Sequence, residues 1–77
     1  MKAYVLVKTS AGETASAVQM LRKLPEVKTA DVTFGPFDAV LVVETADLTG
    51  LSKLVTLSVR STPGVQETLT CMVAEGV

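Results

Sequence analysis

Few side chains in this 77-residue chain can do covalent or acid–base chemistry, and their pattern excludes more than it offers. There is no histidine, and Cys71 is the single cysteine. Without His the common zinc-ligand sets cannot be assembled within one chain, and neither a Cys/His nor a Ser/His/Asp arrangement can exist. The usual general base near neutral pH is missing as well. Cys71 has no partner for an intrachain disulfide and reads as a small core residue. No catalytic residue, metal or cofactor is expected.

Two polar groupings remain. Gly35-Pro36-Phe37-Asp38 joins a permissive glycine, a proline with a preset φ and a carboxylate able to bond nearby backbone, which is a hairpin turn. Thr68 and Thr70 are two residues apart, so they share one face of a strand, where β propensity alone also favours threonine.

The elements that must carry these groups follow from hydrophobic period and punctuation. Residues Ala3 to Thr9 are rich in Val, Leu and Tyr and end at Ser10-Ala11-Gly12, a strand and then a turn. Ser10 and Glu13 fit a capping box for a helix from Glu13 to Leu24, whose Ala17, Val18, Met20, Leu21 and Leu24 recur at three and four residues. Pro25 ends it, and the period changes to two from Val27, with Ala30, Val32 and Phe34 against Asp31 and Thr33. After the turn, Ala39 to Glu44 is a third strand paired with the second. Asp47 caps a helix through Leu48, Leu51, Leu54, Val55 and Val59, which stops at Thr62-Pro63-Gly64. Val65 to Ala74 is the fourth strand.

The order β-α-β-β-α-β is that of two interleaved right-handed βαβ units, a ferredoxin-like α+β fold. It predicts a four-stranded antiparallel sheet, order 4-1-3-2, with both helices on one face, in a single domain over residues 1–77. Tyr4-Val5-Leu6-Val7 and Ala39-Val40-Leu41-Val42-Val43 are apolar on both sides of the pleat, so the uncovered face also calls for burial. A two-fold sheet-to-sheet dimer provides it.

Composition restricts the other partners. Seven basic and eight acidic residues give a net charge of −1 with no basic run, which argues against direct nucleic-acid binding. The apolar stretch Ala39 to Val43 is too short to span a bilayer, and the N-terminus lacks a signal-peptide layout, so a cytoplasmic protein is expected.

Four segments in this order, Ala3-Tyr4-Val5-Leu6-Val7, Gly35-Pro36-Phe37-Asp38, Thr62-Pro63-Gly64-Val65 and Thr68-Leu69-Thr70, resemble the Lrp/AsnC family of transcriptional regulators. The resemblance is to that family's C-terminal effector-binding domain, without its DNA-binding helix-turn-helix, and it extends over nearly all of the chain. It implies a dimer through the sheets, higher assembly such as an octamer, and an amino-acid effector bound at subunit interfaces. It also implies action on transcription through a full-length regulator of the family. Carried over residue by residue, the ligand site would comprise Gly35, Phe37 and Asp38 of the turn, Thr33 beside it, and Thr68 and Thr70 of the last strand. A carboxylate, turn amides and hydroxyls suit a ligand bearing both an ammonium and a carboxylate. Phe37 departs from the family pattern, in which Tyr is frequent, and brings no phenolic hydroxyl.

Two other readings share this topology. A small dimeric enzyme, such as a cofactor-independent monooxygenase or isomerase, would need a polar cleft, yet the chain has no His, Trp or Asn and one Tyr. An ACT-type regulatory domain would pair side by side through sheet edges. A metal chaperone is disfavoured, because Thr9-Ser10-Ala11-Gly12 stands where its C-x-x-C loop belongs.

Overall fold

The structure, a computed structural model, describes residues 1–77. The chain runs β1 (Lys2–Thr9), α1 (Thr14–Leu21), β2 (Val27–Val32), β3 (Ala39–Glu44), α2 (Leu48–Lys53), a π-helical continuation (Leu54–Val59) and β4 (Val65–Met72). The four strands form one sheet in the order β2-β3-β1-β4, with every neighbouring pair antiparallel, the expected ferredoxin-like arrangement.

Register assigns each side chain to a face. Val5 lies between Leu41 and Thr70, and Val7 between Ala39 and Thr68, so these positions share one face. On it Ala3, Val5, Val7, Ala39, Leu41 and Val43 are fully buried. Both helices cover that face: Val18 and Leu21 of α1 join Leu51, Leu54 and Val59 in the same apolar cluster. Small β-branched and aliphatic side chains therefore build the core, and no aromatic enters it.

Several boundaries differ from expectation for local reasons. The Ser10–Glu13 capping box does not form: α1 starts at Thr14, and Glu13 makes no side-chain cap. Ser10 is instead held by its backbone, donating to the Gly64 carbonyl at 2.8 Å and accepting from Glu13 N–H at 3.0 Å. Gly64, at φ +93°, closes the turn before β4, and a Cβ there would lie 3.1 Å from Glu13 Cβ. α1 ends at Leu21, ahead of Leu24. The next residue, Arg22, donates from Nε and Nη2 to the Ala30 carbonyl at 3.0 and 2.7 Å, tying the helix end to edge strand β2. Phe34 lies beyond β2 and is fully exposed, so the two-residue period breaks at the turn.

Asp47 caps α2 as expected, its Oδ1 accepting from Gly50 N–H at 2.8 Å. The helix then widens, with Arg60 N–H reaching back five residues to the Val55 carbonyl at 3.0 Å. This turns Leu54 and Val59, five apart, into the core together, whereas Leu48 is exposed and Val55 half-buried.

The opposite face carries no helix. Tyr4 and Leu6 of β1, Val40 and Val42 of β3, and Leu69 and Cys71 of β4 lie side by side there. Tyr4, Leu69 and Cys71 are exposed, so Cys71 is not the core residue its isolation in the sequence suggested. Charges of both signs surround this apolar centre: Lys2, Lys8, Glu44 and Glu67 on the same face, and Asp31 on β2. Lys8 Nζ stands 3.7 Å from Glu67 Oε2.

Candidate functional site

The β2–β3 turn is held by its own polar groups. Thr33 Oγ1 donates to the Phe37 carbonyl at 2.8 Å, and Thr33 N–H to the Asp38 carbonyl at 2.9 Å. Asp38 N–H donates to the Val7 carbonyl at 2.9 Å, and its Oδ2 accepts from Thr9 N–H at 2.8 Å. Thr33, Gly35, Phe37 and Asp38 are therefore brought together at one end of the sheet. The Thr33 hydroxyl proton and one Asp38 oxygen are committed to holding the turn. Phe37 is half-buried, with Lys8 Nζ 5.7 Å from its ring centroid.

Thr68 and Thr70 stand elsewhere. They are half-buried on the helix-facing side of β4, across β1 from the turn and paired with Val7 and Val5. Within one chain the two groups of candidates do not form a single pocket.

Thr70 instead lines a cleft of about 290 Å³ between β4 and the second helix. Its apolar walls are Leu48, Leu51, Val55 and Met72, and its hydroxyls are those of Ser52, Thr56 and Thr70. Met72 follows Thr70 by two and so shares its face, while Val55 and Thr56 belong to the π segment, a widening often kept at functional sites. The six residues besides Thr70 were not singled out as site residues in the sequence, since helical period alone assigned Leu48 and Val55 to the core. The signal available was the alternation Thr68, Thr70, Met72, three side chains on one strand face without the bulk of a core.

The cleft holds no ionisable side chain, and no group of three or more His, Cys, Asp or Glu stands close enough to hold a metal. It offers apolar contact and neutral hydrogen bonds, the chemistry of binding a small molecule. No helix is long and apolar enough to cross a membrane.

The fold is that of a small ferredoxin-like α+β domain with a cleft between its last strand and second helix. The family described as the Lrp/AsnC ligand binding domain matches residues 2–77, and the chain belongs to it. The chain is similar to the crystal structure of FFRP-DM1, with a TM-score of 0.91 and 34% identity over 95% of this chain and 97% of that one. It is similar to hypothetical protein PHS023 from Pyrococcus horikoshii, with a TM-score of 0.88 and 34% identity over 97% and 92% of the two chains. The transcriptional regulator NMB0573 of Neisseria meningitidis, solved with L-Met, shares the fold at a TM-score of 0.86 and 24% identity. There the match covers 99% of this chain and 51% of that one. No curated protein matches the chain.

Proposed function

We propose that this chain is a non-enzymatic effector-binding and oligomerisation module. It senses an amino acid at subunit interfaces and modulates transcription through a full-length Lrp/AsnC-type regulator. The observation that carries this reading is the family match over residues 2–77. The lining of the Thr70 cleft, apolar side chains and neutral hydroxyls without an ionisable group, favours binding over reaction.

The placement of the candidates favours an interface. Asp38 and Thr70 lie on opposite sides of β1, so a small ligand touching both has to sit where two copies meet. The Asp38 Oδ1 oxygen, unlike Oδ2, has no partner within the chain and is the atom available to an ammonium. The helix-free sheet face supports self-association, because its apolar centre and mixed-charge rim have the anatomy of a protein interface. In this reading the two-fold dimer forms through that face, higher oligomers such as an octamer form between dimers, and effector occupancy favours one assembly by differential affinity.

Titration calorimetry with the common amino acids tests the reading, using wild type and Asp38→Asn. Asparagine keeps an acceptor for Thr9 N–H but removes the charge. Tight binding of one or a few amino acids, weakened in Asp38→Asn while most of the wild-type thermal stability is kept, is the expected result. Equal affinity in the variant removes Asp38 from the site, and no heat with any amino acid overturns the sensing function.

A further inference from the structure

We propose that Phe34 is an assembly anchor whose ring seats in the Thr70 cleft of a second copy of this chain. The β2–β3 turn of one copy thereby joins the cleft between β4 and the second helix of the next. This deepens the oligomerisation half of the function proposed above and rests on it, without requiring an effector.

Phe34 is fully exposed, whereas Phe37 beside it is half-buried. A phenyl ring held wholly in water forgoes the apolar burial that makes aromatic side chains the usual anchors of interfaces. The turn does not need the ring for its own shape. Thr33 donates to the Phe37 and Asp38 carbonyls, and Asp38 Oδ2 fastens the turn to Thr9 N–H. These bonds fix the backbone on both sides of Phe34 before a partner arrives, so docking orders little further chain.

The socket is the one concave site on the molecule, about 290 Å³ and open on one side, ample for one ring. Leu48, Leu51, Val55 and Met72 supply apolar contact. Leu48 and Met72 are more than half exposed, so both gain cover when a ring enters. Phe34 cannot fill the cleft of its own chain. Thr70 and Met72 pair with Val5 and Ala3 near the start of β1, whereas the turn bonds Val7 and Thr9 at its end, on the other side of that strand.

The contact therefore runs between copies, and its two halves are different patches, which makes it heterologous. A two-fold dimer presents two anchors and two sockets. Attachment at two points raises the effective concentration of the second contact and offsets the small area that one ring buries. The same docking brings Asp38 of one copy towards Thr70 of the next, the juxtaposition the interface site needs.

Two variants break opposite halves of the contact and spare the core. Phe34→Ser removes the anchor, and Ser52→Trp fills the socket from an exposed helical position. Light scattering after size exclusion, over a range of protein concentrations, is run on wild type, each variant and their equimolar mixture. Wild type is expected to exceed the dimer mass at least twofold, and each variant alone to stop at the dimer. The mixture is expected to regain the larger species, because the Ser52→Trp chain still carries Phe34 and the Phe34→Ser chain still has an open socket. Labelling with para-fluorophenylalanine gives two fluorine NMR signals, since the chain has two phenylalanines. The Phe34 signal should shift with assembly in wild type and not in Ser52→Trp alone.

A variant that assembles like wild type overturns the proposal. So does a mixture that stays dimeric when both folded variants alone have lost the larger species, which marks a contact of like with like. Should Ser52→Trp melt early, Thr56→Trp, exposed on the same wall, takes its place. A wild type that stops at the dimer at every concentration overturns the anchor and leaves the sheet-to-sheet dimer and the sensing function standing. A strictly monomeric wild type overturns the anchor and the oligomerisation function together.

Discussion

Asp38 Oδ2 accepts a hydrogen bond from the backbone N–H of Thr9 at 2.8 Å, so the β2–β3 turn is fastened to the far end of β1 across 29 positions of sequence. The β1–β4 register shifts between Lys8 and Thr9, and the carboxylate satisfies an N–H at that irregularity. A residue carried over as a ligand contact is thus also part of the frame. Asp38→Ala leaves the Thr9 N–H without its partner and is expected to lower stability by about 1–3 kcal/mol, read by urea denaturation. Asp38→Asn is expected to recover most of that loss, because the donor is a neutral amide that an amide oxygen can also meet.

Gly64 carries a second prediction. At φ +93°, with a would-be Cβ 3.1 Å from Glu13 Cβ and 3.4 Å from Ala17 Cβ, it lets the turn before β4 pass directly beneath the start of α1. Gly64→Ala adds backbone strain of roughly 1–2 kcal/mol to a contact that neither neighbour can relieve by rotating a side chain. A clear fall in melting temperature is expected, exceeding that of Gly12→Ala, where nothing lies within 4 Å of the added carbon.

The Asp47 cap is exposed, and its partner is the Gly50 N–H at 2.8 Å. Asp47→Ala is expected to cost about 1 kcal/mol. Asp47→Ser, which restores an acceptor, is expected to recover most of it. Because α2 forms one wall of the Thr70 cleft, hydrogen exchange in residues 48–53 should quicken in the alanine variant.

Leu21 is fully buried at the centre of the α1–sheet contact. Leu21→Ala is expected to destabilise by about 2–5 kcal/mol, which a domain this small cannot readily absorb. Circular dichroism of the variant should show a much lower melting temperature or an unfolded chain.

The fold was legible because its punctuation is local. Pro25, Gly35-Pro36 and Thr62-Pro63-Gly64 mark breaks that the structure retains, and the central strands β1 and β3 carry the doubly apolar runs. What was not legible depends on contacts distant in sequence. Ser10 reads as a helix cap until its backbone is seen bonded to Gly64, 54 residues on. The π segment leaves no regular period, since Leu51, Leu54 and Val59 enter the core at spacings of three and then five. Cys71 shares its face with Tyr4 and Leu69, a relation that register alone reveals. The turn residues Thr33 to Asp38 were recognisable as a group, but the cleft was not. Thr70 and Met72 meet Leu48 and Val55 through the strand order that sets β4 beneath the second helix.

The helix-free sheet face gives the most direct test of the central claim, that the domain couples effector binding to assembly. Light scattering after size exclusion, run on wild type and Leu6→Lys with and without the amino acids, reads both terms in one experiment. Leu6 sits mid-face between Val40 and Leu69, so a charge there should break the dimer without entering the core. The account predicts a dimer or larger wild-type species whose mass or stability responds to particular amino acids, and a monomeric Leu6→Lys. A wild-type protein that is strictly monomeric and indifferent to every amino acid would contradict it.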